Sequence, residues 1–117
     1  EAVVIVQIEH TDAVDKLGAI LDTPGVDGFF LGPYDLSASM GIPGQFDNPR
    51  LKDAIELVRA VGLAKGKAGG LHVVEPSPDQ LREHAERGFR FLAYSLDTRL
   101  LDTACRNGLN TCRSSVS

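Results

Sequence analysis

The stretch Pro24-Gly-Val-Asp-Gly-Phe-Phe-Leu-Gly-Pro-Tyr-Asp-Leu-Ser-Ala-Ser-Met-Gly41 decides how this chain is read. Its apolar run Val26–Leu31 predicts a strand, Gly32-Pro33 ends that strand, and the polar segment Tyr34–Gly44 predicts a loop with a short helical turn. Ahead of it, Thr23-Pro24-Gly25 stops a helix in which Val14, Leu17, Ile20 and Leu21 recur at helical spacing, with Thr11 or Asp12 as its cap. Upstream again, the β-branched run within Ala2–Glu9 predicts a strand. Its near-continuous apolarity suits a strand covered on both faces.

Working downstream gives the same alternation. Asn48 and Pro49 predict the cap and first residue of a helix striped by Leu51, Ala54, Ile55, Val58, Val61 and Leu63. The glycine-rich run from Gly66 ends it, a third strand follows at Gly70–Val74, and a helix is expected from about Ser77 to Arg87, closed by Gly88. A fourth strand is expected at Phe89–Ser95, then a helix that Asp97 caps and that runs to about Arg106. Strands alternating with helices imply a parallel sheet with right-handed crossovers, so the predicted class is α/β, four βα units forming half of a TIM-type (β/α)8 barrel. Four strands do not close a barrel. Either the remainder lies outside this sequence or the sheet is open. Residues 110–117 show no periodicity and are expected to form an irregular tail on a unit spanning 1–109.

Composition excludes several classes of function. The 117 residues are 43% hydrophobic and 24% charged, which is ordinary for a globular domain. A net charge of -4, with the basic residues scattered, argues against a nucleic-acid partner. The longest apolar run, Ala2–Val6, is far short of the ~20 residues that span a bilayer. Cys105 and Cys112 lack metal-ligand spacing and are expected as reduced thiols of a cytoplasmic protein, a disulfide being the alternative. Glu1-Ala2-Val3 opens directly on a strand-like run without an initiator Met or leader, so the natural start is expected elsewhere.

In parallel α/β folds ligands meet the C-terminal ends of the strands. There the first strand ends Gln7-Ile8-Glu9, which puts Gln7 and Glu9 on one face. Asp35 stands just past the end of the next strand. Two carboxylates on neighbouring strand ends repel unless a cation lies between them, and oxygen-only ligation suits Mg²⁺ or Mn²⁺ better than zinc. The structural alternatives are a salt-bridged Glu9 and an Asp35 that caps the turn holding Ser37 and Ser39. Gly32-Pro33 lets the backbone pass close to a ligand, with the amides at Tyr34 and Asp35 available to an anion.

The segments QIE (Gln7–Glu9), PGVDGFFLGPYDLSASMG, GKAGGL (Gly66–Leu71) and YSLDTRLL (Tyr94–Leu101) together resemble the HpcH/HpaI family of class II pyruvate aldolases, in the family's motif order and as far as about Cys105. The GPxDLS-containing segment is the specific one. The resemblance implies a metal-dependent carbon–carbon lyase that cleaves 4-hydroxy-2-oxo acids to pyruvate and an aldehyde through a metal-stabilised enolate. By the same resemblance Glu9 and Asp35 match the ligands of a divalent Mg²⁺, Mn²⁺ or Co²⁺. Gln7 matches the glutamine beside the metal, and Tyr34 and Asp35 match positions whose amides hold the pyruvate carboxylate. It implies homo-oligomers as well.

The sequence also departs from the family pattern. The family's essential Arg and its His–Asp acid/base pair lie in the first half of the barrel, which nothing here matches, so no catalytic acid or base is expected in this chain. His10 follows Glu9, and His84 is expected mid-helix and exposed. His72 stands where the family presents a leucine to the aldehyde pocket, which would change acceptor preference; a satisfied core histidine is the alternative. Leu96 matches a second apolar pocket position. The competing readings are a macrophomate synthase-like decarboxylase and an inactive half-barrel whose role is assembly.

Overall fold

The computed structural model describes residues 2–116. Four strands, β1 (Ile5–Ile8), β2 (Gly28–Leu31), β3 (Ala68–Val73) and β4 (Phe91–Tyr94), form one parallel sheet in sequential order. The helices connecting them are α1 (Thr11–Asp15), α2 (Leu17–Leu21), α3 (Pro33–Ser39), α4 (Pro49–Ala64) and α5 (Pro78–Glu86), and α6 (Asp97–Ser115) follows β4. Unbroken sequential order with parallel pairing is the half-barrel topology expected from the sequence.

The two faces of the sheet differ. Ile8, Phe29, Leu31, Leu71 and Val73 point one way and are buried with Leu17, Leu21, Leu51 and Val58 from the helices. Registered residues in parallel strands share a face, so Gln7, Phe30, Gly70 and Phe91 form a row on the opposite side. That side is open: Ile5 is 40% exposed and Phe91 52%. Phe30 and Phe91 meet across it with ring centroids 5.4 Å apart. Gly70 lies between them, because a Cβ there would stand 2.6 Å from the Phe30 ring.

Several boundaries differ from the sequence-based expectation, each for a local reason. The first expected helix is two, broken at Lys16, whose ψ of 10° interrupts the helical run. Its cap is His10, whose Nδ1 accepts from the Asp12 amide at 3.2 Å, rather than Thr11 or Asp12. The short helical turn expected in the loop from Tyr34 is the seven-residue α3, which starts one residue earlier because Pro33 opens it with its preset φ. β3 begins at Ala68, two residues early, since its glycines accept the Phe29 and Phe30 rings in place of side chains. Leu96, not Asp97, precedes the first residue of α6. The irregular tail expected over 110–117 is corrected: α6 continues to Ser115, and Ser117, like Glu1, lies outside the described residues. Asn48 caps α4 as expected, and Ser77, expected near the start of α5, is its cap.

Candidate metal and substrate site at the strand ends

β1 and β2 pair Ile8 with Leu31, so Glu9 stands beside Gly32. The Gln7 Nε2 donates to Glu9 Oε2 at 2.7 Å, which orients the carboxylate and leaves its other oxygen without a partner among the described residues. At Gly32 the close approach of neighbours, not its φ of -103°, favours glycine. A Cβ there would come within 3.3 Å of Glu9 Oε2 and 3.4 Å of Gln7 Nε2. Among the described residues the polar partner of Glu9 is Gln7, and no Lys, Arg or His pairs with it.

α3 starts directly above Glu9. A helix N-terminus leaves its cap and first three amides without intrahelical acceptors. Here the Gly32 amide is satisfied by the Ile8 carbonyl at 3.2 Å, and Pro33 has none. The donors that remain are those of Tyr34 and Asp35. Asp35 lies in the first turn and does not cap it, since no side chain caps α3. The turn after it is tied down by the Ser37 hydroxyl, which donates to the Tyr34 carbonyl at 2.6 Å and accepts from the Gly44 amide at 2.9 Å. The Tyr34 ring leans away against Phe46, centroids 6.5 Å apart.

Among the described residues no three His, Cys, Asp or Glu side chains converge as a metal group. Glu9 and Asp35 are two carboxylates only, which is too few for a closed all-protein cage.

The remaining sequence-based candidates fall at the far ends of β3 and β4. His72 Nε2 donates to the Ser95 carbonyl at 3.0 Å. Leu96 follows Ser95 and is 42% exposed. Ser95 itself was missed. It takes a φ of 55°, a left-handed conformation whose only sequence signal is its place between a strand and a helix.

His84 corrects an expectation. It is half-buried, set edge-on to Phe89 at 5.8 Å, and its Nδ1 is buried without a partner. Burial, then the Arg87 charge, lowers its pKa. It lines a cavity of about 610 Å³ between α4, α5 and β3, which Pro33 and His72 also border and Glu9 and Asp35 do not. Beside that cavity Glu56 binds both Arg59 and Arg87. Those guanidinium hydrogen bonds, Arg59 first, pull the Glu56 carboxyl down to about 2.

The family model for HpcH/HpaI aldolase/citrate lyase matches residues 1–104. The chain belongs to this family. A 4-hydroxy-2-oxo-heptane-1,7-dioate aldolase from Salmonella paratyphi B is 41% identical over 98 residues, 84% of this chain and 36% of the relative. Among solved structures, an HpcH/HpaI aldolase/citrate lyase family protein from Burkholderia cenocepacia J2315 superposes with a TM-score of 0.87 at 37% identity. It covers 96% of this chain and 43% of its own. An HpcH/HpaI aldolase from Desulfitobacterium hafniense gives 0.85 at 32% identity, over 95% of this chain and 42% of its own. The chain thus spans about a third of the length of the curated relatives it matches. No helix among the described residues is long and apolar enough to cross a membrane.

Proposed function

We infer that this HpcH/HpaI chain supplies the cation-binding and carboxylate-binding half of a lyase that cleaves 4-hydroxy-2-oxo acids to pyruvate and an aldehyde. The observation that carries this reading is the adjacency, at two neighbouring strand ends, of a Glu9 held by Gln7 and a helix start offering Asp35 and two free amides. Glu9 and Asp35 would hold Mg²⁺, Mn²⁺ or Co²⁺. Such a cation, when bound, supplies positive charge against the negative charge that develops on the oxygens of the 2-oxo acid.

The chain's own groups do the rest of the positioning. The Tyr34 and Asp35 amides suit the oxygens of the substrate carboxylate, acting as fixed donors that need no reorganisation. Gln7 fixes the Glu9 rotamer, and Gly32 keeps the floor between them clear. Cleavage of the bond between C3 and C4 also requires a base for the 4-hydroxyl proton. The family resemblance assigns that base, and an Arg for the keto oxygen, to the other half of the barrel. This chain alone is therefore expected to be without turnover, since a positioned base is worth ~10²–10⁴-fold. The decarboxylase alternative would use the same groups, and no residue here favours it. Homo-oligomerisation follows from the same reading, with the exposed Leu100, Leu101 and Leu109 of α6 available for contact.

The test uses the full-length protein. Glu9→Gln and Asp35→Asn are each expected to abolish Mn²⁺ binding, read by electron paramagnetic resonance, together with pyruvate release from a 4-hydroxy-2-oxo acid. Full activity with Mn²⁺ still bound in either variant overturns the reading, as does EDTA-sensitive turnover by the 117-residue chain alone.

A further inference from the structure

The register across the sheet puts Glu9, Gly32, His72 and Ala93 in one transverse row at the C-terminal ends of the strands, on the open face. Gly32 contributes no side chain. Glu9 and His72 are therefore separated by two strand spacings, about 10 Å, with only backbone between them. The space over Gly32 is bounded by the proposed cation ligand on one side and an imidazole on the other.

The partner of that imidazole selects the tautomer of its neutral form. His72 Nε2 lies 3.0 Å from the Ser95 carbonyl oxygen. A carbonyl oxygen only accepts, so Nε2 carries the hydrogen, and Nδ1 of the neutral ring is a bare acceptor. No partner for Nδ1 exists among the described residues. Ser95 adds a second, independent observation. It is the one non-glycine residue with positive φ among those described, its amide is tied to the Val73 carbonyl at 2.7 Å, and its hydroxyl is buried without a partner. A strained residue held in place by its neighbours is common where a site is being shaped. Here the left-handed turn presents the carbonyl that holds the His72 ring.

We propose that His72 is a specificity-determining residue whose Nδ1 accepts a hydrogen bond from a hydroxyl on the aldehyde half of the substrate. The proposal rests on the lyase reading above and names its substrate class: hydroxylated aldehydes, in preference to alkyl aldehydes of the same size. A row with Glu9 at one end and His72 at the other orients such a molecule with its 2-oxo acid toward β1 and β2 and its hydroxylated end toward β3 and β4. An aliphatic side chain at position 72 would offer that hydroxyl nothing, and a buried hydroxyl without a partner is disfavoured.

The experiment compares glycolaldehyde with propanal, which replaces the hydroxyl by a methyl group, as acceptors for pyruvate addition by the Mn²⁺-loaded full-length protein. The expected kcat/KM ratio favours glycolaldehyde by ~10-fold or more, the value of one hydrogen bond. His72→Leu brings the ratio close to one, while His72→Gln, which keeps a donor and an acceptor, retains part of the preference; circular dichroism verifies that both fold. A ratio unmoved in folded His72→Leu overturns the inference and leaves the lyase reading standing. Absence of aldol chemistry and of pyruvate methyl-proton exchange in the unmodified protein overturns both. A measurement on the unmodified protein guards against a variant that does not fold. Long-range ¹H–¹⁵N spectra should show Nε2 protonated, with the Nδ1 resonance moving on addition of glycolaldehyde and not of propanal. An identical response to the two aldehydes also overturns the inference.

Discussion

Phe29 and Gly62 interlock: the Phe29 ring occupies the place where a side chain at position 62 would stand, so that a Cβ there would lie 2.6 Å from Phe29 Cζ and closer still to its Cε1. Gly69 receives the same ring from the next strand, 2.7 Å from where its Cβ would be. Phe29 is 1% exposed and has nowhere to swing. Gly62→Ala should therefore destabilise the protein by about 1–3 kcal/mol through overpacking, although alanine is the better helix former by ~1 kcal/mol. Urea unfolding measures this, and a stabilised variant would show that the ring yields.

Gln7 touches Glu9 and reaches the proposed cation only through it. Losing the amide in Gln7→Ala frees the Glu9 carboxylate to rotate. By analogy with other supporting residues around metal ligands, affinity for Mn²⁺ should fall ~10–100-fold. Calorimetric titration gives the number. Unchanged affinity would mean that Gln7 has no part in holding the site.

Glu56 predicts an acid limb of stability. Its carboxyl titrates near 2 in the folded protein against an ordinary 4.5, because Arg59 and then Arg87 donate to its charged form. A depressed carboxyl contributes stability that is fully present above pH 4.5 and is lost as pH falls toward 2. Its side chain is 47% exposed, so the solvent-screened contribution is about 1 kcal/mol. Glu56→Gln should lower neutral-pH stability by that amount and flatten the decline between pH 4.5 and 2. Parallel pH–stability curves for the two proteins would contradict this.

Ser95→Gly should stabilise. A left-handed non-glycine residue costs about 1–2 kcal/mol, and the looser unfolded chain of a glycine variant returns part of that gain, leaving roughly 0.5–1 kcal/mol. The φ of 55° motivates the change. A lower urea midpoint would show that the Ser95 side chain contributes more than its backbone strain costs.

The order of elements was legible because each βα unit carries its own punctuation: Pro24-Gly25, Asn48-Pro49, Ser77-Pro78 and Gly88 mark boundaries by local chemistry. Glycines inside β3 misled the boundary there. A glycine reads as a break until the ring that needs its space is known, and Phe29 and Phe30 come from another strand. α6 was cut short for the opposite reason. Its polar residues past Arg106 give no apolar period, yet the helix runs to Ser115, where the Thr111, Ser114 and Ser115 hydroxyls bond back to carbonyls one turn earlier.

The sequence by itself determined the class, the parallel order and the pairing of Gln7 with Glu9 on one face, since a strand's alternation and a helix's period are properties of neighbouring residues. Family membership is equally a property of sequence, carried by the segment around Gly32-Pro33-Tyr34-Asp35-Leu36-Ser37. Only the tertiary structure decided that Gly32 sits between Glu9 and His72, that the Tyr34 and Asp35 amides are the donors left over at the start of α3, and that His72 is held by a strained Ser95. Those facts depend on which residues of separate strands come to the same level of the sheet. That register is set by packing across the sheet, between residues far apart in the chain.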